Sequence, residues 1–249
     1  PYGTIAPAPS TIEEITREDL VKLHDERLVP NNAVFIGVGD VEKDVFLKEL
    51  RSHFDDWEKG EIPVLTPSDP VSRTERSITI VDRPGSAQSN IVVSNIGVHR
   101  NHPDYFPLLV MNQVLGAGAS SRVFMNLREE KGYTYGAYTR LDMKKLGGEF
   151  EATAEVRTPV TGDSLKEFFY ELERIRDEDV PDQELADAKA YLTGVFPIRA
   201  ETQEGLTSLI VGQQLHGLPS DYLQTYRDHV NAVTAEEVRR VARGHVRPG

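Results

Sequence analysis

The residues best suited to chemistry in this chain lie in one short segment, from Arg128 to Tyr135. Arg128 carries a guanidinium, and Tyr133 and Tyr135 carry phenols. Both kinds of group donate hydrogen bonds and can meet a substrate carbonyl. They bind that oxygen more strongly as it gains negative charge in a tetrahedral intermediate. The segment is therefore a candidate site for a substrate carbonyl and its tetrahedral intermediate.

Two elements must position these side chains. The sequence predicts a helix from about Ser121 to Lys131, with Gly132 at the position just past its end, and then a strand beginning at Thr134. Residues two apart on a strand share a face, so Tyr133 and Tyr135 are expected on one side. From the chemistry of these residues alone, the favoured interpretation is structural: Arg128 complements the helix dipole and the tyrosines pack with their polar tips outward.

Metal chemistry is not indicated by the sequence. The chain has no cysteine, and its seven histidines form neither His-x-x-Glu-His nor His-Glu-x-x-His. Only His99 and His102 lie close together, in a turn that has Asp104 as its neighbouring acid and a cation, Arg100, between the rings. An exposed turn explains them better than a metal site does. We therefore predict no metal site and no cofactor in this chain.

The overall charge and hydropathy exclude further classes of partner. A net charge of −12 disfavours nucleic acid, whose phosphates need clustered Lys and Arg, and favours basic or neutral partners. No apolar run approaches the roughly 18 residues of a membrane span, which predicts a soluble chain. The compartment stays open between cytoplasm and periplasm, because a chain without cysteine suits both.

The remaining pattern predicts alternating helices and strands. A capping box at Thr16 opens a helix that ends near Pro30. The further expected elements are a buried strand at 33–39, a helix at 45–57, strands at 77–82 and 88–98, a helix at 104–115 and a hairpin of 134–141 with 148–156. The rest is expected to be helical, with breaks at Pro181, Pro197, Pro219 and Val233.

One internal repeat is visible. Thr16-x-Glu18-Asp19-Leu20 and the residues after it are echoed by Thr234-x-Glu236-Glu237-Val238, at a constant offset of 218. Residues 1–64 are therefore expected to be the tail of one unit, 65–75 a linker and 76–249 most of a second unit, with further sequence before residue 1. The alternative is that two capped amphipathic helices agree by chance.

The segment Arg128–Tyr135 also resembles the second homologous domain of pitrilysin/insulinase-type zinc metallopeptidases, which include the mitochondrial processing peptidases. The string Arg-Glu-Glu-Lys-Gly-Tyr-x-Tyr-Gly carries most of the resemblance. Similar features cover the first half of the chain: Val29-Pro30-Asn31-Asn32, Val38-Gly39-Asp40-Val41, Asp82-Arg83-Pro84-Gly85 with Gln88, Leu115-Gly116 and Ser121-Arg122.

This resemblance implies an α+β fold, a two-layer α/β sandwich with a mainly antiparallel sheet, used twice around an unfolded peptide. By motif position, Arg128 and Tyr135 would contact the substrate and the transition state. Zinc is expected in the complete enzyme, held by an N-terminal half or a partner subunit, since this chain lacks the zinc motif. Two functions stay open: the substrate-binding portion of a zinc endopeptidase, inactive alone, or a non-catalytic scaffold subunit of the same fold.

Overall fold

The computed structural model describes residues 6–64, 66–70 and 75–248. Its three strands are β1 (Gln88–Ile96), β2 (Thr134–Met143) and β3 (Gly148–Arg157). Its helices are α1 (Pro9–Glu13), α2 (Arg17–Arg27), α3 (Lys43–Phe54), α4 (Tyr105–Leu115), α5 (Arg122–Phe124), α6 (Thr161–Asp177), α7 (Asp182–Ala200), α8 (Gln203–His216), α9 (Tyr222–Ala232) and α10 (Ala235–His245). The short 3₁₀ segments are Pro30–Asn32 and Thr158–Val160, and a π-helical turn, Met125–Glu130, continues α5.

The sheet is antiparallel in the order β1-β3-β2, so β3 lies in the middle. Alternate residues of each strand face the helices and are buried, for example Ile91, Phe150 and Ala152. The opposite face of the sheet is open to solvent in the described part of the chain. One buried face and one open face are typical of an antiparallel sheet with a single helical layer. The expected α+β class is confirmed.

Helices α4, α6 and α10 fill the space over the buried face of the sheet. They contribute fully buried side chains to one core: Leu108, Met111 and Leu115 from α4, Phe168, Leu172 and Ile175 from α6, and Val238, Val241 and Ala242 from α10. Burial of such side chains stabilises the fold by about 1.5–3 kcal/mol each. This packing fixes the sheet and the segments that enter and leave it.

Both predicted capping boxes are present. The Thr16 hydroxyl accepts a hydrogen bond from the backbone N–H of Asp19, and the Asp19 carboxylate accepts one from the backbone N–H of Thr16. Thr234 and Glu237 make the same two bonds at the start of α10. The helices begin where the sequence indicates, because these bonds span only three residues.

Two predicted strands are wrong. Residues 33–39 and 77–82 form no strand, and the apolar side chains of Val34, Ile78 and Ile80 are exposed. A strand needs a hydrogen-bonded ladder with a neighbouring strand, and the sheet of the described residues contains only β1, β3 and β2. An apolar run alone therefore does not determine whether a segment becomes a strand.

The predicted helix break at Pro197 is also wrong, because α7 continues to Ala200. Proline removes the backbone donor that would bond the carbonyl of Thr193, but the residues after it keep the helical conformation as far as Ala200. None of the described helices is long and apolar enough to cross a membrane. The expected linker at 65–75 includes positions 65 and 71–74, which lie outside the described residues, so the division of the chain there stays a prediction.

Candidate functional site

The site predicted from the sequence lies at the corner where α5 and its π-helical turn lead into β2. Gly132 has φ +63°, the left-handed conformation that ends a helix. The N–H of Gly132 donates to the carbonyl of Arg128, and the N–H of Tyr133 donates to that of Leu127. Gly132 therefore reverses the chain where expected and carries Tyr133 and Tyr135 back beside the helix.

The helix differs from expectation in one respect, because its last part, Met125–Glu130, is π-helical. A π turn accommodates an extra residue in the helix and is found frequently at functional sites. Asn126 anchors this turn: its amide Nδ2 donates to Glu167 and to Glu171 on α6, at 3.0 and 2.9 Å. The turn that carries Arg128 is thus fixed to a helix of the core.

Arg128 lies at the edge of this corner with a partly exposed side chain. Its guanidinium forms an ion pair with the neighbouring Glu129 and stands 5.1 Å from the ring centroid of Phe124. An arginine over an aromatic face gains about 0.5–1 kcal/mol at an exposed position. Phe124 therefore limits the directions in which the guanidinium can point.

Tyr135 projects from the corner into solvent and is 91% exposed. It lies in a bulge: Thr134 is opposite Val156, while Ala137 is opposite Ala154, so β2 has one residue more than β3 there. Within the described residues the phenol of Tyr135 has no hydrogen-bond partner. A tyrosine held this way offers a free donor to a ligand.

The bulge also places Tyr138 at the site. The sequence did not indicate this residue. Tyr138 faces outward between the buried Ala137 and Thr139, and its ring lies 5.6 Å from that of Phe124. Gly136 makes room for this ring, because a Cβ there would come within 2.6 Å of Tyr138 Cε2. The sequence signal that could have indicated this arrangement is the pair of aromatic residues, Phe124 and Tyr138, on either side of the segment Arg128–Tyr135.

The structure brings Arg128 and Tyr135 to the same corner without a direct bond between them in the described chain. The open face of the sheet continues from Tyr138 to Arg140, which pairs with Glu149 at 3.1 Å and Glu151 at 3.8 Å on β3. The corner and this face together form an exposed polar and aromatic surface. Such a surface can bind an extended peptide through side-chain and backbone donors.

The histidine turn lies elsewhere, at the start of α4. Asp104 accepts hydrogen bonds from Arg240 at 2.7 Å and from His245 at 3.0 Å. The Arg240 hydrogen bond, aided by that of His245 and opposed by burial, lowers the pKa of Asp104 to about 2. Burial lowers the pKa of His102 below its usual value. The hydrogen bonds of Asp104 thus join the histidine turn to the end of α10.

The fold defines the class of this protein: an α+β domain with helices on one face of an antiparallel sheet. Residues 14–192 match the family model described as the peptidase M16 inactive domain. The chain therefore belongs to the peptidase M16 family, and the pitrilysin-type resemblance is confirmed.

Relatives and solved structures agree with this placement. An uncharacterized zinc protease of Mycobacterium tuberculosis H37Rv is 27% identical over 237 residues, which is 94% of this chain and 53% of that protein. A non-peptidase homolog, YmxG of Helicobacter pylori, is 23% identical over 94% of this chain and 54% of its own length. The crystal structure of a peptidase M16 inactive domain from Pseudomonas fluorescens superposes with a TM-score of 0.85 at 23% identity, over 96% of this chain and 57% of that one. The chain spans about half the length of the relatives it matches.

Proposed function

We propose that this chain is the substrate-binding C-terminal portion of a zinc-dependent endopeptidase that cleaves peptides or unfolded polypeptides. Zinc and the residues that hold it belong to an N-terminal half or a partner subunit. Arg128 and Tyr135 contact the bound peptide and stabilise the oxyanion that forms during cleavage. The observation that carries this proposal is the 91% exposed phenol of Tyr135, unpaired within the described residues, close after the helical turn that carries Arg128.

The rigidity of the corner supports a role in the transition state. A donor stabilises developing charge best when it is held in place before the reaction. The Phe124 ring beneath Arg128 and the hydrogen bonds of Asn126 to α6 supply this support on the helix side. On the strand side, Thr134 and Ala137 pair with β3 on either side of Tyr135 and hold the backbone there.

A missing half is supported by exposed apolar side chains within residues 6–64. In and after α10 the residues Val238, Val241 and Val246 are buried, whereas Leu20, Leu23 and Leu28, at the same positions in and after α2, are each more than half exposed. Exposed apolar side chains that share one surface are unfavourable in water, and such a patch is typical of an interface. A homologous unit would cover it as the core covers α10.

The experiment joins this chain to a zinc-bearing M16 half, supplied in the same polypeptide or as a separate subunit, and measures peptide cleavage. Tyr135→Phe and Arg128→Ala are expected to lower kcat/KM by about 10²–10³-fold, the usual loss of one oxyanion donor. Their melting temperatures stay near that of the parent, because both side chains are exposed. Tyr191→Phe, which removes a hydroxyl from another exposed tyrosine, is the matched control.

Unchanged turnover in both variants would refute the proposal.

The second candidate function, a non-catalytic scaffold subunit, is favoured by one observation: the Helicobacter pylori relative is described as a non-peptidase homolog. Under that function, no zinc-bearing half restores cleavage, while the complex still assembles. Assembly measured by gel filtration, with cleavage measured on the same sample, separates the two functions.

A further inference from the structure

Three possible metal ligands meet between the start of α4 and the end of α10. His102, Asp104 and His245 each offer one ligand atom, and these atoms all lie within 4.8 Å of one another. Asp104 Oδ2 is 3.0 Å from His245 Nε2 and 3.9 Å from His102 Nδ1. The three side chains are each less than one third exposed.

This combination of donors suits a divalent transition metal. Two imidazoles and a carboxylate are a common set of protein ligands for Zn²⁺, with bonds of about 2.0–2.2 Å, and a water can fill the fourth position. Bonds of that length place tetrahedral ligands about 3.4 Å apart. The two distances from Asp104 to the histidines lie on either side of that value, so small side-chain rotations would complete the geometry.

Hydrogen bonds around the cluster orient Asp104 and hold one of the two histidine ligand atoms. Arg240 donates to Asp104 Oδ1 at 2.7 Å, which leaves Oδ2 facing the histidines. A hydrogen bond to the second oxygen is the usual support for a carboxylate that binds a metal. The Nδ1 lone pair of His102 accepts a bond of 3.1 Å from the backbone N–H of Asp104, so a metal ion would have to displace this hydrogen bond.

We propose that His102, Asp104 and His245 form a binding site for a divalent transition-metal ion that clamps the start of α4 to the end of α10. The site is independent of the proposed peptide-binding function, since neither Arg128 nor Tyr135 takes part. A bound ion stabilises the folded state because the unfolded chain cannot hold three ligands that come from positions up to 143 residues apart.

The test is thermal unfolding of the purified chain after treatment with a chelator, with and without added Zn²⁺. The melting temperature is expected to rise by about 5 °C or more at a concentration near 100-fold above Kd. Mg²⁺, which prefers oxygen ligands, should have no such effect. Bound Co²⁺ should give a visible absorption band typical of tetrahedral coordination.

His245→Gln should abolish the metal-dependent shift, and His102→Gln provides a second variant in case α10 tolerates no change. His99→Gln is the control, because His99 lies beside His102, with ring centroids 5.8 Å apart, but supplies no ligand atom to the cluster. An absent Zn²⁺ shift in the parent chain, or an equal shift in the parent and both ligand variants, would overturn the proposal. In that case the cluster is only the ion-pair network of Asp104.

Discussion

Leu20 and Val238 stand at the same position behind matching capping boxes, yet Leu20 is 58% exposed and Val238 is fully buried. The two helices share a capping box and these apolar positions, and they differ in what packs against them. The core of α4, α6 and the sheet covers Val238. Among the described residues, no comparable core covers Leu20.

Alanine substitutions at these two positions should therefore have unequal effects. Val238→Ala should lower the free energy of unfolding by about 2 kcal/mol, because it removes buried methyl groups and leaves a cavity. Leu20→Ala should change it by less than about 0.5 kcal/mol. Denaturant unfolding measures both. If the proposed N-terminal half covers α2, Leu20→Ala becomes costly once that half is present, and an unchanged small effect would contradict the covering role.

Gly116 should be intolerant of any side chain. A Cβ at Gly116 would overlap the backbone nitrogen and hydroxyl of Thr139, which cannot move without disturbing β2. Gly116→Ala is expected to destabilise the chain by about 1–3 kcal/mol, as overpacking does. At the control position Gly118, a Cβ would lie 3.3 Å from the flexible end of Gln113, so Gly118→Ala should be nearly neutral. Equal melting temperatures for the two variants would disprove this steric argument.

Phe124 should affect cleavage through Arg128. Phe124→Leu keeps an apolar side chain but removes the ring that lies 5.1 Å from the Arg128 guanidinium. In the reconstituted enzyme we expect a loss of about 2–5-fold in kcat/KM, the equivalent of one exposed cation–π contact. The same substitution made together with Arg128→Ala should add little, since the ring acts through the arginine. Additive losses would show that Phe124 acts by another route.

The ion pair of Arg122 and Glu184 should be important for stability. Arg122 donates to both oxygens of Glu184, at 2.8 and 2.7 Å, and its side chain is only 4% exposed. Glu184→Ala leaves a buried guanidinium without its charge partner and should cost about 3 kcal/mol. Glu178→Ala, which breaks an exposed pair with Arg174, should cost less than about 1 kcal/mol. Similar urea midpoints for the two variants would argue against this difference.

Stability should fall at high pH because of two buried tyrosines on α9. Burial raises the pKa of Tyr226 from 10.0 to about 12, and it raises the pKa of Tyr222 further. The folded state therefore favours the neutral phenols. Their stabilising contribution is fully present below pH 10, where the unfolded chain is also neutral, and is lost as the pH rises through about 12.

The measurement is the free energy of unfolding between pH 9 and pH 12. Tyr226→Phe should reduce the alkaline loss by on the order of 2 kcal/mol, while Tyr191→Phe, at an exposed position, should leave the loss unchanged. A profile that Tyr226→Phe does not alter would mean that other groups drive the alkaline unfolding.

Features that depend on a few neighbouring residues could be predicted from the sequence. The two capping boxes, the left-handed Gly132, the β2–β3 hairpin and the helix that carries Arg128 all form where the sequence predicts them. Their hydrogen bonds join residues close in the chain, so local chemistry is sufficient. The family resemblance rested on the same local strings, which is why it could be recognised before any fold was known.

Which surfaces and side chains contact each other depends on the tertiary structure. The bulge that places Tyr138 beside Phe124 depends on pairing with β3. The exposure of Val34, Ile78 and Ile80 depends on what packs against them, which an apolar run does not state. The meeting of His102 and Asp104 with His245 joins residues up to 143 positions apart, which no local spacing indicates. Burial, register and ligand geometry are set by contacts between distant residues, and no local pattern encodes them.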